Sequence, residues 1–241
     1  MTVGHPPTAA AFLADLEANR SDAELAKIQR YFKTGAGEYG EGDTFIGVRM
    51  GTVFALARAA RAMPLDEVER LLESPIHEAR AGALRIMAEQ SKARGATDAD
   101  RRARYELYLR RLDRIDNWDL VDLGAWEVVG RYLVDHPRGV LDELAASDDV
   151  WARRTAILAT IAFIRVGQTE DAFRLAERLA DDPHDLVQKA VGGVLRYAGD
   201  VDRPALERFL GVHAATMPRT ALRYAVEKLG PAERAAWLAR R

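Results

Sequence analysis

Apolar residues recur at three- and four-residue spacing along almost the whole chain, and the strict alternation typical of strands is nearly absent. Ala, Leu, Arg and Glu are abundant, and all four favour helix. Prolines stand near several of the proposed helix starts, where a missing amide hydrogen costs little. The pattern predicts helices near residues 8–19, 22–33, 48–62, 65–73, 76–94, 97–114, 118–135, 138–146, 149–166, 169–181, 184–198, 203–213, 218–229 and 231–240.

Most connections between these helices are short, so neighbouring helices are expected to form antiparallel hairpins. The second helices of successive hairpins share a signature, a charged residue followed by small and apolar ones, at separations of 42, 32, 35 and 30 positions. The signatures are Arg80-Ala-Gly-Ala-Leu, Asp122-Leu-Gly-Ala-Trp, Arg154-Thr-Ala-Ile-Leu, Lys189-Ala-Val-Gly-Gly and Arg219-Thr-Ala-Leu-Arg. A period of this size predicts an all-α fold, an α-solenoid of HEAT- or armadillo-like antiparallel helix pairs with a concave basic face.

The chain shows no linker, low-complexity tract or change in composition that would divide it. We therefore expect one HEAT-like repeat domain over residues 1–241. Within it, the pattern predicts N-terminal helices over 1–62, repeats over about 63–230 and a C-terminal capping helix over 231–241.

Four of the five aligned positions carry a cation, namely Arg80, Arg154, Lys189 and Arg219. Equivalent positions of the inner helices line one surface of a solenoid, so such a row would follow a polyanion such as DNA. Arg196 lies seven residues after Lys189 and extends the same face. The other interpretation is a solvated, Arg-rich face. Because the net charge is −2, any DNA binding must come from the local placement of cations.

Asp122 is the one aligned position that carries a carboxylate, and Trp118 lies one turn earlier on the same helical face. An aromatic ring beside a carboxylate suits a cationic ligand, since the ring offers cation–π attraction and the carboxylate offers charge. The alternative is that Trp118 only packs at the helix start, with Asn117 or Asp116 as the cap.

Four segments follow one another along the chain: Arg30–Gly35 continuing through Phe45–Arg49, then Asn117–Asp122, Asp148–Ile157 and Val187–Arg196. Together they resemble the opening segment, the central motif and the later repeats of the AlkD-like DNA alkylation repair family. The resemblance covers nearly the whole chain. It implies a solenoid of HEAT-like repeats that binds DNA.

The resemblance also implies roles for individual residues. The family's catalytic Asp falls on Asp122, its ligand-facing Trp on Trp118, and a Tyr near the lesion on Tyr31. Its DNA-contacting arginines fall on Arg154 and Arg196. Family members release N3- and N7-alkylated purines from duplex DNA as monofunctional glycosylases, without flipping the base, so duplex DNA with alkylated bases is the expected partner. The leaving group is already activated, so no metal or other cofactor is expected.

Two positions depart from the family pattern. Gly193 stands where the family usually has a second Trp, and Ala162 stands where a Lys is sometimes found. Two hypotheses therefore remain. A DNA glycosylase for cationic alkylpurines is favoured by the pair Trp118 and Asp122, whereas a non-catalytic solenoid that binds DNA or a protein partner is favoured by Gly193.

Other features exclude several kinds of site. The absence of Cys excludes disulfide frameworks, Cys-ligated zinc and thiol nucleophiles. A G-x-G-x-x-G match at 35–40 follows a helix rather than a strand, so a loop is expected there instead of a dinucleotide site. The five histidines lack metal-ligand spacing. With no apolar run near a membrane span and no secretory signal pattern, we expect a cytoplasmic monomer.

Overall fold

The computed structural model describes residues 6–35, 37–38 and 40–240. Residues 1–5, residues 36 and 39 of the glycine loop, and residue 241 of the expected capping helix lie outside the described residues. In the described part, the regular elements are helical and one isolated bridge pairs Thr44 with Ile76. The all-α prediction is confirmed. No helix among the described residues combines the length and apolarity that a membrane crossing requires.

The contacts divide the chain into two compact units, Met1–Gly124 and Ala125–Arg241. The single repeat domain expected over residues 1–241 therefore stays a prediction. The first unit contains a 3₁₀ turn at Leu112–Arg114 and the helices α1 (Ala9–Ala18), α2 (Asp22–Phe32), α3 (Met50–Ala59), α4 (Leu65–Leu72), α5 (His77–Ser91), α6 (Asp98–Arg110) and α7 (Trp118–Gly124).

The second unit begins with a π-helical segment, Ala125–Gly130. Its helices are α8 (Arg131–Leu133), α9 (Val140–Ala145), α10 (Val150–Ala159), α11 (Ile161–Ile164), α12 (Glu170–Arg178), α13 (Asp185–Val201), α14 (Arg203–His213), α15 (Arg219–Ala225) and α16 (Pro231–Ala239). The helix expected over 149–166 is divided at Thr160, whose hydroxyl donates to the Ile157 carbonyl at 2.6 Å. Such a side-chain bond competes with the helical ladder.

Helix starts follow local capping chemistry. The side chains of Thr8, Ser21 and Asp149 each accept a hydrogen bond from a backbone amide in the first turn of α1, α2 and α10. Thr97 and Asp100 form a capping box at the start of α6. These bonds satisfy amides that have no partner within the helix, so the helix starts are specified locally.

One helix is central to the packing of each unit. In the first unit α5 contacts α1, α3, α4, α6 and α7, and it is buried along most of its length. In the second unit α13 packs against α10, α12, α14 and α15. A Cβ at Gly192 would collide with the Ala221 carbonyl oxygen on α15, so a glycine is needed for this close approach.

Candidate functional site

The loop at residues 43–48 is tied to the start of α5. Thr44 forms the bridge with Ile76, and the amide of His77 donates to the Thr44 carbonyl at 2.8 Å. The buried carboxylate of Glu78 accepts from the three successive amides of residues 46–48 at 2.9–3.2 Å. Three amides that converge on one carboxylate form an anion nest, which here is filled from within the chain.

Gly47 makes this nest possible. Its φ of 84° lies in the left-handed region, and a Cβ at this position would collide with the carbonyl oxygen of Ser21, the N-cap of α2. Only glycine meets both conditions without strain. The loop is thereby held between the start of α2 and the start of α5.

An aromatic pocket of about 480 Å³ opens within the first unit, between α2, α3, the loop and α7. The Trp118 ring stacks on Phe32 at 5.4 Å with an interplanar angle of 19°, and Tyr31 meets Trp118 edge-on at 5.7 Å. Phe45 lies 4.8 Å from Phe32. Tyr31 is 68% exposed, so it marks the mouth of the pocket, whereas Phe32 is buried.

Three carboxylates line this pocket. Glu78 is held by the amide nest, and Asp119 is nearly buried. Asp122 is half-buried one turn after Trp118 on α7. The structure therefore brings the predicted residues Tyr31, Trp118 and Asp122 to one pocket.

A buried histidine lies between two carboxylates beside this pocket. The Nδ1 of His77 is 3.2 Å from Asp43 Oδ2, and its Nε2 is 2.8 Å from Asp119 Oδ2. Burial alone would lower the pKa of His77, but the charges and hydrogen bonds of Asp119 and Asp43 outweigh it and raise the pKa to about 9. His77 is therefore a cation at neutral pH.

Asp43 collects three donors. It accepts from His77, from Arg80 and from the Asn117 side chain at 2.6 Å. Burial would raise the pKa of Asp43, but the hydrogen bond and charge of His77, with Asn117 and Arg80, lower it below its usual value. Asn117 in turn accepts from the Trp118 amide at 2.7 Å. The buried carboxylate is thus compensated by cations and connected to the start of α7.

Two of the cations expected to contact DNA lie in the interior. Arg80 is 3% exposed and pairs with Asp43 and, at 3.2 Å, with Asp116. Arg154 is 6% exposed and donates to the Leu186 carbonyl in the first turn of α13. Arg80 joins the loop at 43–48 to the turn before α7, and Arg154 joins α10 to α13, so neither guanidinium group is available to a phosphate in this structure.

The other three predicted cations are more accessible. The side chain of Lys189 is 36% exposed and pairs with Asp185 at 2.9 Å. That of Arg196 is 25% exposed and pairs with Glu227. Arg219 donates to backbone carbonyls at the end of α16. All three belong to the second unit.

Gly193 faces open space. A Cβ built there meets nothing within 4 Å, whereas the adjacent Gly192 is in close contact with α15. Tyr197, one turn after Gly193 on α13, is 47% exposed. The Tyr197 ring centroid lies 5.9 Å from the Arg196 guanidinium and 5.6 Å from the Lys228 ammonium group. The backbone therefore leaves room for a large side chain at residue 193.

Sequence reasoning missed the buried charges beside the pocket. Asp119 belongs to the Asn117–Asp122 segment and Asp43 precedes the Phe45–Arg49 segment, but no local pattern connects either with His77. The residues are 42 and 34 positions from His77. Only the tertiary fold brings them together. Among the described residues, no group of three or more His, Asp or Glu side chains is arranged to hold a metal ion.

Comparison with known proteins agrees with the resemblance. The family described as DNA alkylation repair enzymes matches residues 12–229. The structure is similar to a predicted DNA alkylation repair enzyme from Enterococcus faecalis, with a TM-score of 0.66, 15% identity, and coverage of 88% of this chain and 98% of that one. At that identity the likeness shows the fold alone. No curated protein matches the sequence. Because the family match spans most of the chain, the protein belongs to the family of DNA alkylation repair enzymes.

Proposed function

We propose that the protein is a monofunctional DNA glycosylase that releases N3- or N7-alkylated purines from duplex DNA by hydrolysing the N-glycosidic bond. The family membership gives the coarser function, repair of alkylated DNA. The observation that carries the finer proposal is that Trp118 and Asp122 line one aromatic pocket. An aromatic ring attracts a cationic base, and a carboxylate stabilises a developing sugar cation.

The chemistry needs little from the protein. Alkylation at N3 or N7 places positive charge on the purine and weakens its bond to the sugar. When that bond breaks, its electron pair goes to the purine, which leaves neutral, and positive charge builds on the deoxyribose. In the proposal Asp122 stabilises this charge and accepts the proton of the water whose oxygen bonds to C1′.

The surroundings of Asp122 suit this role. The pocket walls are largely aromatic and aliphatic, and a charge acts more strongly in such a medium than in water. Trp118 is held from one side by Phe32 and at its edge by Tyr31, so its orientation is set before a ligand arrives. A cationic base against an aromatic ring gains about 0.5–2 kcal/mol.

The proposed DNA contacts are the accessible cations Lys189, Arg196 and Arg219. Beside the pocket, the side chains of Lys27 and Arg49 are 68% and 70% exposed, and both pair with Glu24. Such surface pairs are weak and can exchange for phosphate contacts.

We further propose that the protein acts as a cytoplasmic monomer on alkylated duplex DNA. A chain without Cys suits a reducing compartment.

The deciding experiment is a base-release assay. Duplex oligonucleotides that carry one 7-methylguanine or 3-methyladenine are incubated with the protein, and the free base and the abasic site are quantified. Release well above the spontaneous rate supports the glycosylase. Tight duplex binding without release supports the non-catalytic solenoid instead, which Gly193 favours because the aromatic side chain expected there is missing.

A further inference from the structure

His77 has carboxylate oxygens at both ring nitrogens. Its side chain is fully buried, with Nε2 2.8 Å from Asp119 and Nδ1 3.2 Å from Asp43. An ionised carboxylate can only accept hydrogen bonds, so both nitrogens must donate. A neutral imidazole carries one N–H and satisfies one of these contacts. The observed geometry is therefore that of an imidazolium ion.

Both contacts lead to the start of α7. Asp119 directly follows Trp118, and its second oxygen accepts from the Leu120 amide at 2.9 Å. Asp43 accepts from the side chain of Asn117, which directly precedes Trp118 and accepts from its amide. The residues on either side of Trp118 are thus tied, directly or through Asp43, to one imidazolium ring.

A second connection runs through the aromatic rings. The ring centroid of Phe32 lies 5.1 Å from that of His77 and 5.4 Å from that of Trp118. Phe45 lies 4.4 Å from His77. Since aromatic faces attract cations, these contacts are stronger when His77 is protonated. Phe32 therefore contacts both the His77 ring and the Trp118 ring.

We propose that His77, acting through Asp43 and Asp119, is a positioning residue that orients the Asn117–Asp122 segment, and with it Trp118 and Asp122, only while its ring is an imidazolium ion. The pKa of about 9, raised by the two carboxylates against the opposing effect of burial, is consistent with this state. The other charged groups nearby are Arg80, which pairs with Asp43 and Asp116, and Glu78, which stays in its amide nest. The effect on base release rests on the proposed function, but the orientation of Trp118 does not.

The first test follows Trp118 by fluorescence. Trp126, Trp151 and Trp237 are replaced by Phe so that Trp118 alone emits. Tyr31→Phe is added so that the ring in contact with Trp118 carries no ionisable phenol. Between pH 6.5 and about 10 we expect the Trp118 fluorescence of this single-Trp protein to show one transition, with a midpoint near 9, the pKa of His77.

Three variants make this test specific. His77→Gln, with a fold verified by circular dichroism, should abolish the transition. Asp119→Asn removes one of the charges that raise the pKa of His77, so it should move the midpoint to lower pH. His136→Gln, in the second unit, is the matched control and should keep the transition. The proposal is overturned if the single-Trp protein shows no transition, if the transition survives in His77→Gln, or if its midpoint stays unmoved in Asp119→Asn.

The second test measures single-turnover base release in the natural sequence. His77→Gln should slow release by about 10- to 100-fold, the scale of a small misplacement of reacting groups, while duplex affinity stays close to that of the parent. Release by the parent should fall above pH 9, whereas release by His77→Gln should not respond in that range. Equal rates in both proteins contradict the proposal. If the parent releases no base at all, the proposed function fails, and the fluorescence result alone decides the role of His77.

Discussion

His77 and Asp119 form a buried contact, with Nε2 of the imidazole 2.8 Å from a carboxylate oxygen at the start of α7. The contact joins the first residue of α5 to the helix that carries Trp118 and Asp122. Because the histidine is fully buried, its charge is stabilised by Asp119 and Asp43 instead of by water. The stability of the fold should therefore depend on the protonation of this one ring.

The first prediction concerns pH. The pKa of His77 is raised from 6.5 to about 9, so the folded state holds its proton more tightly than the unfolded chain. This stabilisation is fully present below pH 6.5 and is lost as pH rises through about 9. We expect the free energy of unfolding to fall by about 3 kcal/mol over this range. Urea unfolding of the parent and of His77→Gln measures it, and an unchanged pH dependence in the variant contradicts the assignment.

The second prediction concerns the loop at 43–48. Gly47→Ala should destabilise the fold by about 2 kcal/mol or more, because a side chain is strained at positive φ and the new Cβ meets Ser21. Gly51→Ala is the matched control. Gly51 lies on α3 with open space around it, so alanine should stabilise by about 0.5–1 kcal/mol. Thermal unfolding compares the two, and equal effects would refute the account of the loop.

Helix positions were predictable because they depend on local information. The helix expected at 203–213 is α14, and that expected at 8–19 is α1 within a residue at each end. Apolar spacing, prolines and capping side chains all act within one or two turns. The π-helical segment at 125–130 was not predicted, since nothing in its sequence separates it from an ordinary helix.

The site was predictable only in part. Trp118 and Asp122 lie one turn apart on one helix, so their common location follows from periodicity. The contacts of Asp43 with His77, Arg80 and Asn117 span 34, 37 and 74 positions, and no spacing rule reaches so far. The aligned signature also could not distinguish an exposed cation such as Arg219 from a buried one such as Arg80 or Arg154.

The third prediction separates two arginines that the sequence treats alike. Arg154→Gln should cost about 1.5–3 kcal/mol of stability, because it removes a charged donor from a buried carbonyl. Arg196→Gln should change stability by about 1 kcal/mol or less, since it loses a partly exposed ion pair with Glu227 and a distant contact with the Tyr197 ring.

DNA binding then distinguishes Arg196 from an unrelated surface arginine. In Arg196→Gln, the slope of log affinity against log salt should decrease by about 1. Arg208→Gln, an exposed position on α14, should leave the slope unchanged. If Arg196→Gln keeps the same slope of log affinity against log salt as the parent, Arg196 is not a DNA contact.

The fourth prediction tests the missing aromatic side chain. Gly193→Trp should be tolerated because the position faces open space, and Trp favours helix over Gly by a few tenths of a kcal/mol. If residue 193 faces the lesion, affinity for duplex DNA with 7-methylguanine should rise by about 2- to 30-fold, the range of one cation–π contact, and release at subsaturating protein should rise with it. Gly211→Trp, at an open glycine on α14, controls for a new surface Trp. Equal release rates in the two variants would show that residue 193 does not contact the lesion.

The last prediction concerns Asp122, on which the proposed chemistry depends. Asp122→Asn keeps the shape of the side chain and removes its charge, so the transition state with positive charge on the sugar loses its electrostatic partner. The single-turnover rate should fall by about 100-fold or more, the scale of one such stabilising group. Duplex affinity should hold or rise, because a negative charge leaves a surface that faces phosphates. Asp15→Asn, an exposed carboxylate on α1, is the control for loss of one charge and should retain the parent rate. A variant that binds and releases base like the parent shows that the carboxylate is not used. A slow variant with weakened DNA affinity points instead to a binding role, because only a group that acts in the transition state lowers the rate while affinity is kept.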